Sequence, residues 1–376
     1  MDTDWAELCE EFNLNMNADT LRKAGVGIKL ADDAGMINVE NVRSLQTDAE
    51  SFIERQKMRD IVRQANTLYR TESRSELLRE TIREAIKDLP KMQGAGRLWM
   101  TPECEDKEGK DKCLVLALGD FHYGADIHIE GLKGEVINEF NHEVFEERMD
   151  NLLQETINII EREHLVHVHV CLVGDLIDGM LRQSQLMRLE YGIIESTMRL
   201  SEYLAWWLDE LSEYAFVDVH AAMGNHSEIR PLKSKSREFE DENLEKIIMW
   251  YLSARLEDNA NIYVQKECLS RVFIDIKGFS FLLLHGDGEK DIVQLAHDAV
   301  NQYGHGIDFF VCGHRHKEQE WPAGLTDSGS SVIIRVPSIC GVDKYAQSRG
   351  YNGKPGATAM VIERGYGRRC VYPIQL

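Results

Sequence analysis

The chain reads as an α/β protein with a mostly α-helical amino-terminal extension, and three observations carry that reading. From about residue 112 onward, short apolar runs alternate with longer stretches of helical periodicity. Several of those runs end in glycine or histidine followed by aspartate, asparagine or histidine. Near residue 331 the alternation gives way to strand-like runs with no helix between them. Taken in order, the runs predict a strand at 113–119, a helix at 141–162, a strand at 166–173 and helices from about 183 to 212. A strand at 216–222, a helix at 239–257, a hairpin at 271–285, a helix near 290–303 and a strand at 308–312 follow. Strands at 331–336, 357–363 and 369–374 close the series. Such an order suits two packed mixed β-sheets flanked by helices, a layered sandwich.

The predicted boundaries are a helical extension at 1–95, a linker at 96–111 and a main domain at 112–376. Gly94, Gly96, Pro102 and the charge-dense run Glu103 to Lys112 mark the linker. In the extension, short helices around Gly25-Val26-Gly27 loosely match a helix-turn-helix, without a recognition helix rich in Arg, Asn or Gln. From Arg55 to Lys91, basic residues at helical spacing accompany an apolar stripe that includes Ile61, Leu68, Leu77 and Ile82. Such helices pack on something, either the main domain or a second copy of the chain, so a homo-oligomer is one expectation.

Five ordered blocks end the apolar runs: Gly119-Asp120-Phe121-His122, Gly174-Asp175-Leu176-Ile177-Asp178, Gly224-Asn225-His226, His285-Gly286-Asp287 and Gly313-His314-Arg315-His316. In open α/β folds, chemistry collects in the crevice outside the carboxyl ends of the strands. Imidazole, carboxylate and an amide oxygen together suit borderline divalent ions such as Mn, Fe, Co, Ni or Zn, whereas all-oxygen ligation would indicate Mg or Ca. So many ligands exceed what one catalytic ion needs if it is to keep a position open. Two ions about 4 Å apart with a shared carboxylate would use them all, and such a pair suits in-line phosphoryl displacement.

With all five blocks present and in this order, the chain resembles the calcineurin-like metallophosphoesterases. The resemblance implies their layered sandwich fold and two divalent ions, with Mn first among the candidates and Fe, Ni, Co or Zn as alternatives. It implies that Asp120, His122, Asp175 and His316 hold one metal, and that Asp175, Asn225, His285 and His314 hold the other. His226 matches the histidine that contacts the scissile phosphate, and Asp178 the acid that orients it. Hydrolysis would proceed by attack of a metal-bridged hydroxide.

Two departures narrow the expectation. Where the protein phosphatases of the family carry Arg-Gly after the second block and an acid after Gly-Asn-His, this chain has Gly179-Met180 and Ser227. The remaining pattern is nearest to SbcD-type nucleases and phage-encoded DNA phosphoesterases, so a nuclease acting on DNA or RNA is the leading expectation. A small-molecule phosphoesterase acting on nucleotides, cyclic nucleotides or phosphomonoesters is the alternative. A scaffolding subunit with a vestigial site is the third reading, and the complete ligand set argues against it.

Net charge is the obstacle to a nuclease, because a formal −21 repels a polyphosphate at long range. Local cations offset this in the loop after the third block, where Arg230, Lys233, Lys235 and Arg237 are the expected substrate-binding residues. Arg182 and Arg188 are placed on the same rim, and Lys344, Tyr345 and Arg349 in a lid over it. Among the other histidines, His164, His167 and His169 are read as structural, and His142, His220 and His297 as exposed or packing. His128 and His305 lie in loops close enough to contact substrate, and Asp287 supports a ligand rather than being one. The eight cysteines show no Cys-x-x-Cys spacing, and no apolar run approaches the roughly 18 residues of a membrane span. A soluble, cytoplasmic protein is expected, in the host cytoplasm if phage-encoded.

Overall fold

Strands covered on both faces have no reason to alternate apolar and polar side chains, and the central strands of this chain do not. In a computed structural model, the described residues are 6, 8–9, 17–35, 80, 83–92, 111–179, 188–229, 238, 241–288, 292–348, 350 and 353–376. They form two compact units, Met1–Leu89 and Pro90–Leu376.

In the first unit, Ala18–Asp33 (α1) is one continuous helix. This corrects the expected turn at Gly25-Val26-Gly27: the helix runs through both glycines. Asn17 starts it, its side chain accepting the backbone N–H of Thr20 at 2.8 Å. Residues 83–87 are also helical. The basic residues from Arg55 to Arg79 and the expected linker over 96–110 lie outside the described residues.

The second unit runs Lys112–Leu118 (β1), Ile127–Glu130 (β2), Val136–Phe140 (β3), His142–Glu163 (α2), His167–Leu172 (β4), Ile193–Leu211 (α3) and Phe216–Ala221 (β5). It continues with Glu245–Arg255 (α4), Ile262–Val264 (β6), Arg271–Ile276 (β7), Phe279–Leu284 (β8), Ile292–Tyr303 (α5) and Phe309–Cys312 (β9). Gln319–Thr326 (β10), Gly329–Arg335 (β11), Lys344–Ser348 (α6), Gly356–Glu363 (β12) and Gly367–Gln375 (β13) complete it. One sheet has the order β13-β12-β1-β4-β5-β6 and the other β10-β11-β9-β8-β7, with β2 and β3 as a separate hairpin. β1, β4, β5 and β6 are parallel, as are β8, β9 and β11, while β12 and β13 on one sheet and β7 and β10 on the other run antiparallel to their neighbours. Both sheets are therefore mixed, as expected.

Alternate residues of β1 serve two cores. Cys113, Val115 and Ala117 face the second sheet, packing with Phe281, Leu283 and Val311. Leu114, Leu116 and Leu118 belong to the core that contains Met149, Leu152 and Ile160 of α2 and Leu204 and Leu208 of α3. On the far side, α5 covers the second sheet through Leu295 and Ala299 against Phe310 and Ile333. The result is a helix, sheet, sheet, helix sandwich. The ends of α2 show why it stops and starts where it does: Asn141 accepts the N–H of Val144 at 2.9 Å, and His164 turns left-handed (φ 54°) to close the helix.

Several expected boundaries move. The helix expected at 239–257 begins at Glu245, because 242–244 instead pair with 227–229: Ile229 donates to Glu242 O and Leu244 to Ser227 O. The helical stretch expected from 183 is helical from Ile193. The hairpin β2–β3, the three-residue β6, the edge strand β10 and the short α6 were not anticipated. β10 tolerates Pro322 and a bulge at Pro322/Gly324 because one of its edges is unpaired.

Candidate metal centre

The candidate ligands lie just beyond the carboxyl ends of β1, β4, β5, β8 and β9. Their backbones are unusual for non-glycine residues. Asp120 (φ 52°), His122 (47°), Asp175 (56°), His314 (71°) and His316 (49°) are left-handed, and among the described residues only His164 and Lys277 otherwise share that conformation without being glycine. Each such residue costs of order 1–3 kcal/mol unless its surroundings over-determine it. Here they do: Asp120 N–H donates to Gly174 O (3.0 Å), His122 to Asp175 O (3.0 Å) and Tyr123 to Leu176 O (3.1 Å), while Asp178 donates back to Tyr123 O (3.0 Å). The first two loops are zipped together. The second and third touch through glycines, since a Cβ on Gly224 would lie 2.0 Å from Asp175 N and one on Gly174 2.6 Å from Gly224 N.

The side chains converge. Asp120, His122 and Asp175 bring ligand atoms within 4.8 Å of one another, and so do Asp175, His285 and His314, so Asp175 belongs to both groups. His285 Nδ1–H donates to Val173 O (2.8 Å) and His316 Nδ1–H to Gly341 O (2.9 Å), which leaves both Nε2 lone pairs facing inward. His316 Nε2 then meets His122 Nε2 at 3.1 Å, and His285 Nε2 meets His314 Nδ1 at 3.1 Å. Lone pairs so opposed need a cation or a proton between them. Asp120 Oδ1 and Asn225 Oδ1 are buried and accept no hydrogen bond. These donors fit divalent ions, with Asp175 positioned to be shared.

The electrostatics agree. Burial opposes protonation of His122, yet Asp178, Asp175 and Asp120 outweigh it and push its pKa up to about 9. His316 rises to about 9 against the same penalty, through Cys340 and Asp120. Burial likewise works against ionisation of Asp175, but His285, His226 and His122 hold it well below the usual carboxylate range. So negative a pocket recruits positive charge.

His226 stands beside the ligands, its ring edge-on to that of His122 at 4.4 Å between centroids. Its Nδ1 lies 2.7 Å from Asp178 Oδ1 and its backbone N–H donates to Asp175 Oδ1 at 2.7 Å. With Nδ1 so engaged, Nε2 is the ring nitrogen turned away from Asp178, on a side chain 16% exposed. A model of the family "Calcineurin-like phosphoesterase" matches residues 114–318.

The chain belongs to the calcineurin-like phosphoesterase family. As a member it is a phosphoester hydrolase. It is 29% identical over 325 residues to the SPbeta prophage-derived uncharacterized protein YonJ of Bacillus subtilis (strain 168), covering 86% of this chain and 78% of that one. Among solved structures, a novel archaeal phosphodiesterase is similar at 12% identity and a TM-score of 0.34, covering 70% of this chain and 99% of its own. A 5′-nucleotidase precursor from Thermus thermophilus is similar at 10% identity and a TM-score of 0.33, covering 70% and 54%.

Two buried residues that sequence reading passed over hold the phosphoesterase loops in place. Glu245 accepts the N–H of Leu176 (2.9 Å), the N–H of Gly224 (2.6 Å) and the hydroxyl of Ser227 (2.9 Å). Burial, with Asp175 nearby, pushes its pKa up to about 7 against those donors. Asn243 donates to Gly224 O and accepts the N–H of Glu245, both at 2.9 Å. Nothing in the spacing marks a glutamate in the first turn of a helix as anything but a surface residue. Cys340, whose thiol lies 3.8 Å from His316 Nδ1, was likewise missed.

Of the remaining expectations, Asp287 lies beside His285 and His314 and helps to raise the pKa of His285. His142 pairs with Glu190 through its ring and its N–H, and His128 is exposed beside Glu130. His220, expected on an exposed or packing face, is buried. Arg188 is exposed. Arg182, Arg230, Lys233, Lys235, Arg237 and Arg349, and the side chains of Lys344 and Tyr345, lie outside the described residues.

Proposed function

We propose that the chain is a phosphodiesterase acting on nucleic acid, with two divalent ions in the crevice. In this reading Asp120, His122, Asp175 and His316 hold one ion and Asp175, Asn225, His285 and His314 the other. Mn is the proposed metal, since the donor set mixes imidazole with oxygen. Bound ions of this kind supply an activated water and offset charge on the phosphoryl oxygens. The protein's own contribution is the observation that carries the proposal: His226 sits beside the ligand set with its tautomer set by Asp178. In its imidazolium form, with Nδ1–H held by Asp178, Nε2–H then faces the crevice, where it hydrogen-bonds a phosphoryl oxygen and gives its proton to the departing alkoxide, returning the ring to the neutral Nδ1–H tautomer. A phosphodiester needs that proton because its leaving group is a poor one.

A polynucleotide substrate is supported by Arg230, Lys233, Lys235 and Arg237, which follow His226 directly in the chain. Its departures from the protein phosphatases and its prophage-derived relative favour the same reading. Ser227, where the phosphatases have an acid, is committed to Glu245. A cytoplasmic location fits free, mostly buried thiols and the absence, among the described residues, of a helix long and apolar enough to cross a membrane. The helices of the extension are proposed to join two copies.

One observation favours the second reading, a small-molecule phosphoesterase. The loop at 338–348 is tied to β3 by Asn138, which donates to Cys340 O and Val342 O at 2.9 Å each. A cavity of about 330 Å³ lies there, lined by Asn138, Val342 and Lys354. With a net charge of −21, the protein would hold a small ligand more readily than a long polyanion.

Turnover of labelled single- and double-stranded DNA and RNA, beside a cyclic dinucleotide and p-nitrophenyl phosphate, separates the two. The assay is run with Mn²⁺ and after chelation. Metal-dependent polynucleotide cleavage is the expected result. Activity confined to the small substrates would replace the nuclease reading by the second.

A further inference from the structure

A second group of metal-ligating side chains lies at the opposite end of β4. His167 and His169 alternate on that strand, and Asp218 and His220 on β5, with His169 in register with Asp218 and Cys171 with His220. All share the face that carries Cys171 and Val173 into the layer between the sheets. His169 lies three extended residues, roughly 10 Å, before the carboxyl end of β4 at Leu172, and Asp175 lies beyond that end, so this group is apart from the catalytic crevice. A core alone gives no reason for it, since neighbouring positions of the same layer are Cys113, Val115 and Ala222.

Its geometry is that of a ligand set. His167 Nε2 lies 3.0 Å from Asp218 Oδ2, and His169 Nδ1 lies 3.6 Å from the same oxygen. His167, His169 and Asp218 all offer ligand atoms within 4.8 Å of one another. With metal–ligand bonds of 2.0–2.1 Å, the edge of a tetrahedral zinc site is about 3.3 Å. A fourth donor is at hand: Gln265 Oε1, 2.7 Å from His220 Nδ1, takes its proton and leaves Nε2 bare, 3.4 Å from His169 Nδ1. His169 and His220 are each 7% exposed, while the side chains of His167 and Asp218 are 29% and 28% exposed. Entry from solvent is therefore open on one side.

We infer that His167, His169 and Asp218 bind a divalent transition-metal ion of the zinc type, with His220 as the nearest fourth donor, clamping β4 to β5 away from the catalytic centre. The ion has a structural role, and its binding does not depend on the reaction proposed above.

The test is metal content by elemental analysis after equilibrium dialysis of the full chain against Zn²⁺, together with the visible spectrum of the Co²⁺-loaded protein. The partly exposed pair His167→Gln and Asp218→Asn should bind one equivalent less than wild type and lose a tetrahedral Co²⁺ band, with phosphoesterase turnover unchanged. Asp175→Asn, which damages the crevice, should keep that equivalent and that band. Zn²⁺ should also raise the melting temperature of Asp175→Asn but not of a triple variant carrying all three changes. Equal metal content in wild type and the double variant would overturn the inference, as would an Asp175→Asn protein with neither bound metal nor band. Either result reads independently of whether the substrate is a polynucleotide.

Discussion

At the carboxyl end of β4, Asp175 sits on a left-handed backbone (φ 56°) in a loop zipped to that of Asp120 and His122. At the amino end, His167 and His169 sit on regular strand backbone and are satisfied by Asp218 and His220. The first group leaves Asp120 Oδ1 buried with no hydrogen bond, and Asn225 Oδ1 likewise. In the second, by contrast, each imidazole has a partner. Histidine and aspartate are common to both, so composition does not distinguish them. Strained backbone and orphaned oxygens do, and they mark the end where the protein gives up stability to position the candidate ligands.

The most severe way to break this contrast is at the shared carboxylate. Asp175→Ala should remove metal from the crevice and abolish phosphoesterase turnover, because both ligand groups include Asp175. Metal analysis and turnover of an activated diester would show it. Full occupancy in the variant would mean that Asp175 is not shared. Next comes His226→Ala, which should keep both crevice metals and slow turnover of a poor leaving group by roughly 10²- to 10⁴-fold. The loss should shrink on p-nitrophenyl esters, whose leaving group needs no proton. An equal loss on both substrates would remove the proton-donor role.

Smaller again is the loss expected at Glu245. Glu245→Ala strands the N–H groups of Leu176 and Gly224 and the hydroxyl of Ser227, all buried. A cost of about 2–4 kcal/mol in urea unfolding is expected, with turnover reduced through displaced loops rather than lost metal. Glu245→Gln, which keeps one acceptor, should fall between. Wild-type stability of the alanine variant would show that the brace is dispensable.

How much of this was legible beforehand follows from the same physics. β1, β4, β5, β8 and β9 were visible because doubly covered strands must be apolar runs, and the residues that follow them are the candidate ligands. The hairpin of β2 and β3 and the edge strand β10 were hidden, since strands exposed on one side or bent by Pro322 and Gly324 carry mixed polarity. Left-handed backbone at Asp120, His122, Asp175, His314 and His316 was invisible because non-glycine residues give no sign of it. Glu245 was hidden for a different reason: its partners are backbone N–H groups, which every sequence possesses. His167 and His169 were placed on one face by alternation, but their meeting with Asp218 and His220 depends on the pairing of β4 with β5, which spacing does not state.

The smallest effect sharpens the contrast most. At the amino end, both members of a buried polar pair can be replaced together, and such exchanges are close to neutral because no group is left unsatisfied. His169→Val combined with His220→Val puts β-branched residues into a strand layer that already carries Val115 and Val173. Gln265, only partly buried, regains water as its partner. In metal-free protein the unfolding free energy should therefore change by no more than about 1 kcal/mol, and turnover measured with Mn²⁺ should be unaffected. A loss as large as that of Glu245→Ala would mean that the amino-end cluster holds the sheet together without any ion, and the two ends of β4 would differ less than their backbones suggest.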